Sequence, residues 1–164
     1  PRRGLELSER GRLAALKVVR RHRLIELFLV EVMSLDWSEV HDEAEDLEHV
    51  ISDRLLDRMD EMLGRPTHDP HGDPIPDRDG NITADKSIPL ADAEEGSYRV
   101  VRVSDGDSKL LEWLQQKDIS IGEEIELGAN ERAAGILEIS RDGSGTIQLG
   151  LEMARQVFVE KASV

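Results

Sequence analysis

The chain's 164 residues, 38% hydrophobic, 34% charged and 3% aromatic, suffice for one modest core or two small ones, and no apolar run approaches the roughly 18 residues of a membrane-spanning helix. With no cysteine, disulfides, thiolate zinc sites, iron–sulfur clusters and cysteine nucleophiles are excluded, so any metal must be held by oxygen and imidazole. A formal charge of -14 from 21 basic and 35 acidic residues argues against these residues gripping nucleic acid by themselves.

The N-terminal 35 residues carry eight Lys/Arg against four Asp/Glu, leaving 13 basic and 31 acidic residues for the other 129. The chain thus starts basic and turns acidic. It opens at Pro1 in what reads as a strand, which suggests a fragment. No signal-peptide pattern is present, and a cytoplasmic location is expected. Ser8 makes a fair N-cap for a long helix from Glu9 to about Met33, with Leu13, Leu16, Val19, Phe28 and Val32 on its apolar side. A second helix, Ser38 to Ile51, opens at a Ser38 cap and shows Val40, Ala44, Leu47 and Ile51 on one face. A third runs from Asp53 to Leu63, capped by Ser52 and closed by Gly64, with a stripe of Leu55, Leu56, Met59, Met62 and Leu63.

From Arg65 to about Glu95 five prolines and little periodicity read as loop and linker. Beyond it, Tyr98–Val103 alternates as a strand, Ser108–Gln116 reads as a short helix, and 123–127, 135–140, 145–149 and 156–160 read as short strands. The expected class is α+β: a helical domain followed by a small, strongly bent SH3-like barrel. The expected organisation is 1–11 as an entry strand, 12–76 helical, 77–95 linker and 96–164 barrel.

The segment His41-Asp42-Glu43-Ala44-Glu45-Asp46-Leu47-Glu48-His49 carries the most chemistry. At 100° per residue His41, Glu45, Glu48 and His49 fall within about a 100° arc beside the apolar stripe. His22 and Glu26, at i and i+4, share a face of the preceding helix. If the two helices pack antiparallel, six nitrogen and oxygen ligands can converge, a set suited to a hard first-row divalent ion such as manganese. The same pattern also fits a solvated acidic face. No P-loop, nucleotide-binding glycine motif or Ser/His/Asp pattern is evident, so an enzyme with a small-molecule substrate is not expected.

The ordered series "HRLIE" (22–26), "VHDEAEDLEHVIS" (40–52) and "HGDPIP" (71–76) resembles the diphtheria-toxin-repressor family of metal-dependent transcriptional regulators. The resemblance covers residues 8–76, and Gly4–Gly11 look like the last wing strand of that family's winged-helix head; the head itself is not among these residues. It implies an all-α metal-binding and dimerisation domain, a C-terminal domain similar to ferrous-transport accessory (FeoA) domains, and a homodimer that binds operator DNA when metal-loaded. By the resemblance His22, Glu26 and His41 match the ancillary metal site, while Glu45, Glu48 and His49 match the dimerisation domain's share of the primary site. Where iron sensors have a cysteine, Glu45 matches the manganese-responsive members. Mn2+ is therefore the expected ion, with Fe2+ as alternative and Zn2+, Co2+ or Ni2+ as substitutes in vitro. Asp107 is similarly placed to a C-terminal metal ligand, and its other reading is a helix N-cap. The alternative function is a metal-binding and dimerisation module that does not touch DNA. His68 and His71, three apart in the Pro/Gly connector, read as a surface turn. Trp37 and Trp113 read as core or interface anchors rather than a peptide platform.

Overall fold

In the computed structural model, which describes residues 7–128, 135–141 and 145–162, the chain divides into a helical unit, 1–84, and a sheet unit, 85–164. The entry strand expected over residues 1–6 lies outside the described residues.

In the helical unit, α1 spans Glu9–Glu31, roughly 35 Å at 1.5 Å per residue. Ser8 caps it, its hydroxyl accepting from Gly11 N at 3.2 Å. The helix stops where Ser34 adopts a positive φ of 59° and Leu35 N returns to Leu29 O at 3.1 Å. α2, Val40–Glu48, is shorter than its apolar face predicts. Ser38 does not cap it; its hydroxyl donates to Asp36 Oδ1 at 2.7 Å, so a local turn takes the oxygen meant for the helix. α3, Asp53–Met62, starts at the Ser52 cap. It ends in a Schellman turn, Gly64 at φ 74° with Arg65 N bonded to Asp60 O at 2.8 Å.

The core of this unit gathers Ile25 and Leu29 from α1, Val40 and Ala44 from α2 and Met59 from α3, with Phe28, Leu47, Ile51 and Leu56 packed around them. The stripe expected on α1 is rotated: Leu24, Ile25 and Leu29 are buried, whereas Leu13 and Val32 are exposed. Leu55 and Met62 of the α3 stripe are 49% and 67% exposed. One helical layer has more apolar surface than its own core can cover.

The segment after α3 is not a surface turn. His71 has no exposed surface and Asp69 and Ile75 are buried. Arg20 donates to Pro76 O at 2.8 Å and Arg23 to Pro74 O at 2.6 Å, drawing the loop onto α1. His68, which is exposed, pairs as a short antiparallel bridge with Pro74.

Among the described residues the sheet unit holds six antiparallel strands in the order β1-β6-β2-β3-β4-β5, with β1 at Ile88–Pro89, β2 at Gly96–Val103, β3 at Glu124–Leu127, β4 at Ile136–Ser140, β5 at Ile147–Gly150 and β6 at Val157–Lys161. A 3-10 turn, Leu90–Asp92, follows β1, and α5 occupies Leu151–Ala154. β2 is the spine: Tyr98, Val100 and Val103 point inward, and a bulge between Val100 and Arg102 bends it against β6. α4, Ser108–Gln116, lays Leu110, Leu111 and Leu114 on the core formed with Ile125, Leu127, Leu137, Ile139, Leu149, Val157 and Val159. The sheet is open between β1 and β5, an unclosed SH3-like arrangement. Of residues 88–92, read from sequence as linker, Ile88 and Pro89 join this sheet, pairing with Val159 and Phe158, and Leu90 and Ala91 of the following 3-10 turn are buried.

Candidate metal centre

α1 and α2 pack side by side and bring three predicted ligands to one point. His22 Nε2 lies 3.0 Å from Glu26 Oε1 and 3.2 Å from His41 Nδ1, and His41 Nδ1 lies 3.2 Å from Glu26 Oε1. The imidazole rings meet edge to face, centroids 4.8 Å apart. Glu26 is fully buried, His22 is mostly buried and the His41 side chain is 43% exposed, so the cluster has a closed floor and a more open rim. His22 and Glu26 come from one helix face by their i, i+4 spacing; His41 joins because Val40 and Ala44 bury the adjoining face of α2 against Ile25 and Leu29.

Two nitrogens and a carboxylate oxygen within 3.2 Å cannot each have its own partner in the triangle. A proton on His22 would settle this. Its Nε2 faces Glu26, and its Nδ1 faces Glu48 Oε2 at 2.9 Å. The hydrogen bond to Glu26 pushes the His22 pKa up to about 9; burial opposes this, while the charges of Glu26 and Glu48 and the Glu48 hydrogen bond reinforce it. For Glu26, burial pushes the carboxyl up, but the hydrogen bond and charge of His22, with His71 and His41 adding, hold it below the usual carboxylate range.

The donor set fits a divalent cation. An ion with ligands at about 2.1 Å needs neighbouring donors about 3.0–3.4 Å apart in octahedral or tetrahedral arrangement, and the three atoms stand at 3.0–3.2 Å. Glu26 Oε2 is buried without a hydrogen-bond partner. An unbonded carboxylate oxygen is costly unless something electropositive compensates it. Glu48 would then hold Nδ1–H of His22, the carboxylate–histidine arrangement that orients metal-binding imidazoles.

The remaining predicted residues are placed differently. Glu48 Oε1 lies 3.5 Å from His49 Nε2, so Glu48 links His22 to His49. His49, at the C-terminal end of α2, is largely exposed, as is Glu45 one turn before it. Asp107 stands in the sheet unit as the N-cap of α4, its carboxylate accepting from Lys109 N at 3.1 Å and Leu110 N at 3.4 Å.

Sequence reasoning read His71 as part of a surface turn. Its ring is buried and stacked on Trp37, Nε2 donates to Trp37 O at 2.8 Å, and Nδ1 has no hydrogen-bond partner. A ring nitrogen of His71 and a carboxylate oxygen of Glu26 lie within 4.8 Å of each other. The signal was the unbroken run His71-Gly72-Asp73-Pro74-Ile75-Pro76 itself, whose order is more than a spacer needs. Trp113, half-buried on α4, has Lys117 Nζ 5.9 Å from its ring centre.

Residues 8–77 match the family described as iron dependent repressor, metal binding and dimerisation domain, and residues 88–161 match the FeoA domain. The chain is 34% identical over 174 residues to the iron-dependent repressor IdeR of Mycobacterium leprae, covering 97% of this chain and 74% of that protein. It is 34% identical over 172 residues to the diphtheria toxin repressor of Corynebacterium efficiens, covering 98% and 73%. Among solved structures it resembles a manganese-dependent transcriptional repressor in complex with manganese, with a TM-score of 0.93 and 41% identity over 96% of this chain and 76% of that one. The chain belongs to the diphtheria toxin repressor family of metal-dependent regulators.

Proposed function

We propose that this chain is the metal-sensing and dimerising part of a transcriptional repressor, a regulator rather than an enzyme, that responds to manganese, with ferrous iron as the alternative ion. The observation that carries this reading is the triangle of His22 Nε2, Glu26 Oε1 and His41 Nδ1, built from two helices and spaced for one cation. A similar protein is described as a manganese-dependent repressor in complex with manganese, and another as ScaR with bound Zn2+. The sulfur-free donors favour a hard ion.

When bound, the ion supplies positive charge in place of the proton on His22. The residues supply the coupling. His22 and Glu26 belong to α1 and His41 to α2, so a set of donors satisfied together fixes the two helices in one arrangement. Glu45, Glu48 and His49 are proposed as this chain's share of a second site, with Glu45 and His49 exposed and Glu48 reaching back to His22; its position at the end of α2 suits completion by another domain. Such a site shifts a population only by the difference in its binding between arrangements, so donors drawn from separate elements couple best. The exposed Leu55 and Met62 supply apolar surface for a second copy, and operator DNA is read through a winged-helix head outside these 164 residues. A cytoplasmic address is part of the same proposal; no described helix is long and apolar enough to cross a membrane.

Anaerobic equilibrium titration with manganese and with ferrous iron, repeated on His22→Ala and Glu45→Ala, tests the reading. Near-stoichiometric binding weakened by both substitutions supports it. Wild-type protein that binds neither ion above background, in this chain and in one carrying a winged-helix head, overturns it.

A further inference from the structure

Arg23 sits between His22 and Glu26 on α1, yet its guanidinium turns to the loop after α3. Nη1 donates to Pro74 O at 2.6 Å, Nη2 donates to Asp73 Oδ1 at 3.1 Å, and Nε stands 3.4 Å from Asp69 Oδ2, whose side chain is fully buried. The other oxygen, Asp69 Oδ1, accepts from the backbone N–H groups of His71 and Asp73, both at 2.9 Å. The carboxylate that faces Arg23 thus also fixes the main chain at His71, where Gly72 makes the turn at φ 86°. His71 passes the constraint on. Its Nε2 donates to Trp37 O at 2.8 Å and its ring stacks on Trp37, with centroids 5.8 Å apart. Trp37 lies three residues before Val40, the start of α2.

The loop therefore grips α1 through Arg23 and the entry to α2 through His71, and these two helices supply the cation triangle. A planar guanidinium that hydrogen-bonds one carboxylate and one carbonyl, and stands within ion-pair distance of a second carboxylate, is directional enough to set such a spacing. We propose that Arg23 is a positioning residue of the metal centre: through Asp69 and His71 it sets where α2 enters against α1, and so how His41 meets His22 and Glu26. The inference rests on the metal-binding reading above. It separates Arg23 from Arg20, one turn earlier, which donates to Pro76 O at 2.8 Å and pairs with Asp60 at 2.9 Å, beyond the His71 turn.

The test measures Mn2+ affinity from the electron paramagnetic resonance of free Mn2+, the ligand-field spectrum of the Co2+-loaded chain, and amide exchange over residues 69–74 without metal. In Arg23→Gln the affinity falls about tenfold, the lower end of what supporting residues around metal ligands are worth. The Co2+ spectrum changes and the 69–74 amides exchange faster. Arg23→Lys recovers part of the affinity, since it keeps the charge but not the fork. Asp69→Asn, which keeps an acceptor for the His71 N–H, moves the same way by less. Arg20→Gln lowers the melting temperature by a comparable amount and leaves affinity and spectrum as in the wild type. Unchanged affinity and spectrum in both Arg23→Gln and Asp69→Asn overturns the inference, as does loss in Arg20→Gln and Arg23→Gln in proportion to their melting temperatures. Binding that is abolished by His22→Ala but untouched by both Arg23→Gln and Asp69→Asn overturns this inference alone. A wild-type chain that binds neither ion overturns it together with the reading on which it rests.

Discussion

The charged state of His22 makes metal binding a competition with a proton, and this can be measured. With its pKa pushed up to about 9, chiefly by the hydrogen bond to Glu26, about 1% of the side chain is neutral at pH 7. Only the neutral imidazole offers Nε2 to a cation. The apparent Mn2+ affinity is therefore expected to be about 100-fold weaker at pH 7 than at its plateau, rising about tenfold per pH unit and flattening above pH 9. Calorimetric titration in two buffers of different ionisation enthalpy should show close to one proton released by His22 per ion at pH 7.5. Stability moves the other way without metal. A folded-state pKa above the ordinary 6.5 stabilises fully below pH 6.5, and the benefit is lost as pH climbs through 9, so the metal-free melting temperature should fall across that window. Glu48→Gln takes away the negative charge beside Nδ1 while leaving an amide oxygen to accept from it, and should move the plateau to lower pH. Affinity independent of pH between 7 and 9, with no proton released and a flat metal-free melting temperature, would refute the charged His22.

Three further outcomes are expected. Glu45→Cys should raise affinity for Co2+, Ni2+ and Fe2+ relative to Mn2+, because a thiolate is softer than a carboxylate; competition titrations that leave the ranking unchanged would remove Glu45 from the selecting set. Met62→Lys puts a charge on an exposed apolar patch and should weaken self-association about tenfold or more while leaving the melting temperature of the monomer nearly unaltered, as sedimentation equilibrium would read. Asp107→Ala should cost about 1 kcal/mol of stability in the sheet unit through the lost α4 cap and leave Mn2+ affinity as it was; a drop in affinity would make its carboxylate a ligand instead.

Local chemistry made much of the fold readable. Ser8 and Ser52 cap their helices and Gly64 closes α3 because each choice depends on two or three neighbouring residues. Ser38 shows where that logic fails: Asp36 offers a rival bond within the same four residues, and nothing in the order of letters ranks the two. β1 escaped notice because two residues cannot show alternation, and one of them is a proline; its place is set by Val159 and Phe158, about seventy residues later. The rotated stripe on α1 has a similar cause. Leu13 and Leu24 are equally apolar, and only the position of α2 and the loop decides which is covered.

The candidate metal centre was legible in its ingredients and not in its construction. The i, i+4 spacing of His22 and Glu26 and the arc on α2 belong to helix geometry, which also describes any wet acidic helix. What favours the metal reading is that Glu26 has no exposed surface and one unbonded oxygen, and both facts depend on packing. The buried loop was harder still, since Asp69, His71 and Asp73 have the composition of a surface turn. Their burial is made tolerable by Arg23 and Trp37, 50 and 34 residues away in sequence from Asp73 and His71. A polar turn that finds both a guanidinium and a backbone carbonyl at such distances is held by α1 and by the entry to α2, the two helices that carry the candidate ligands. The Arg23→Gln experiment accordingly probes the coupling of loop to site rather than either by itself.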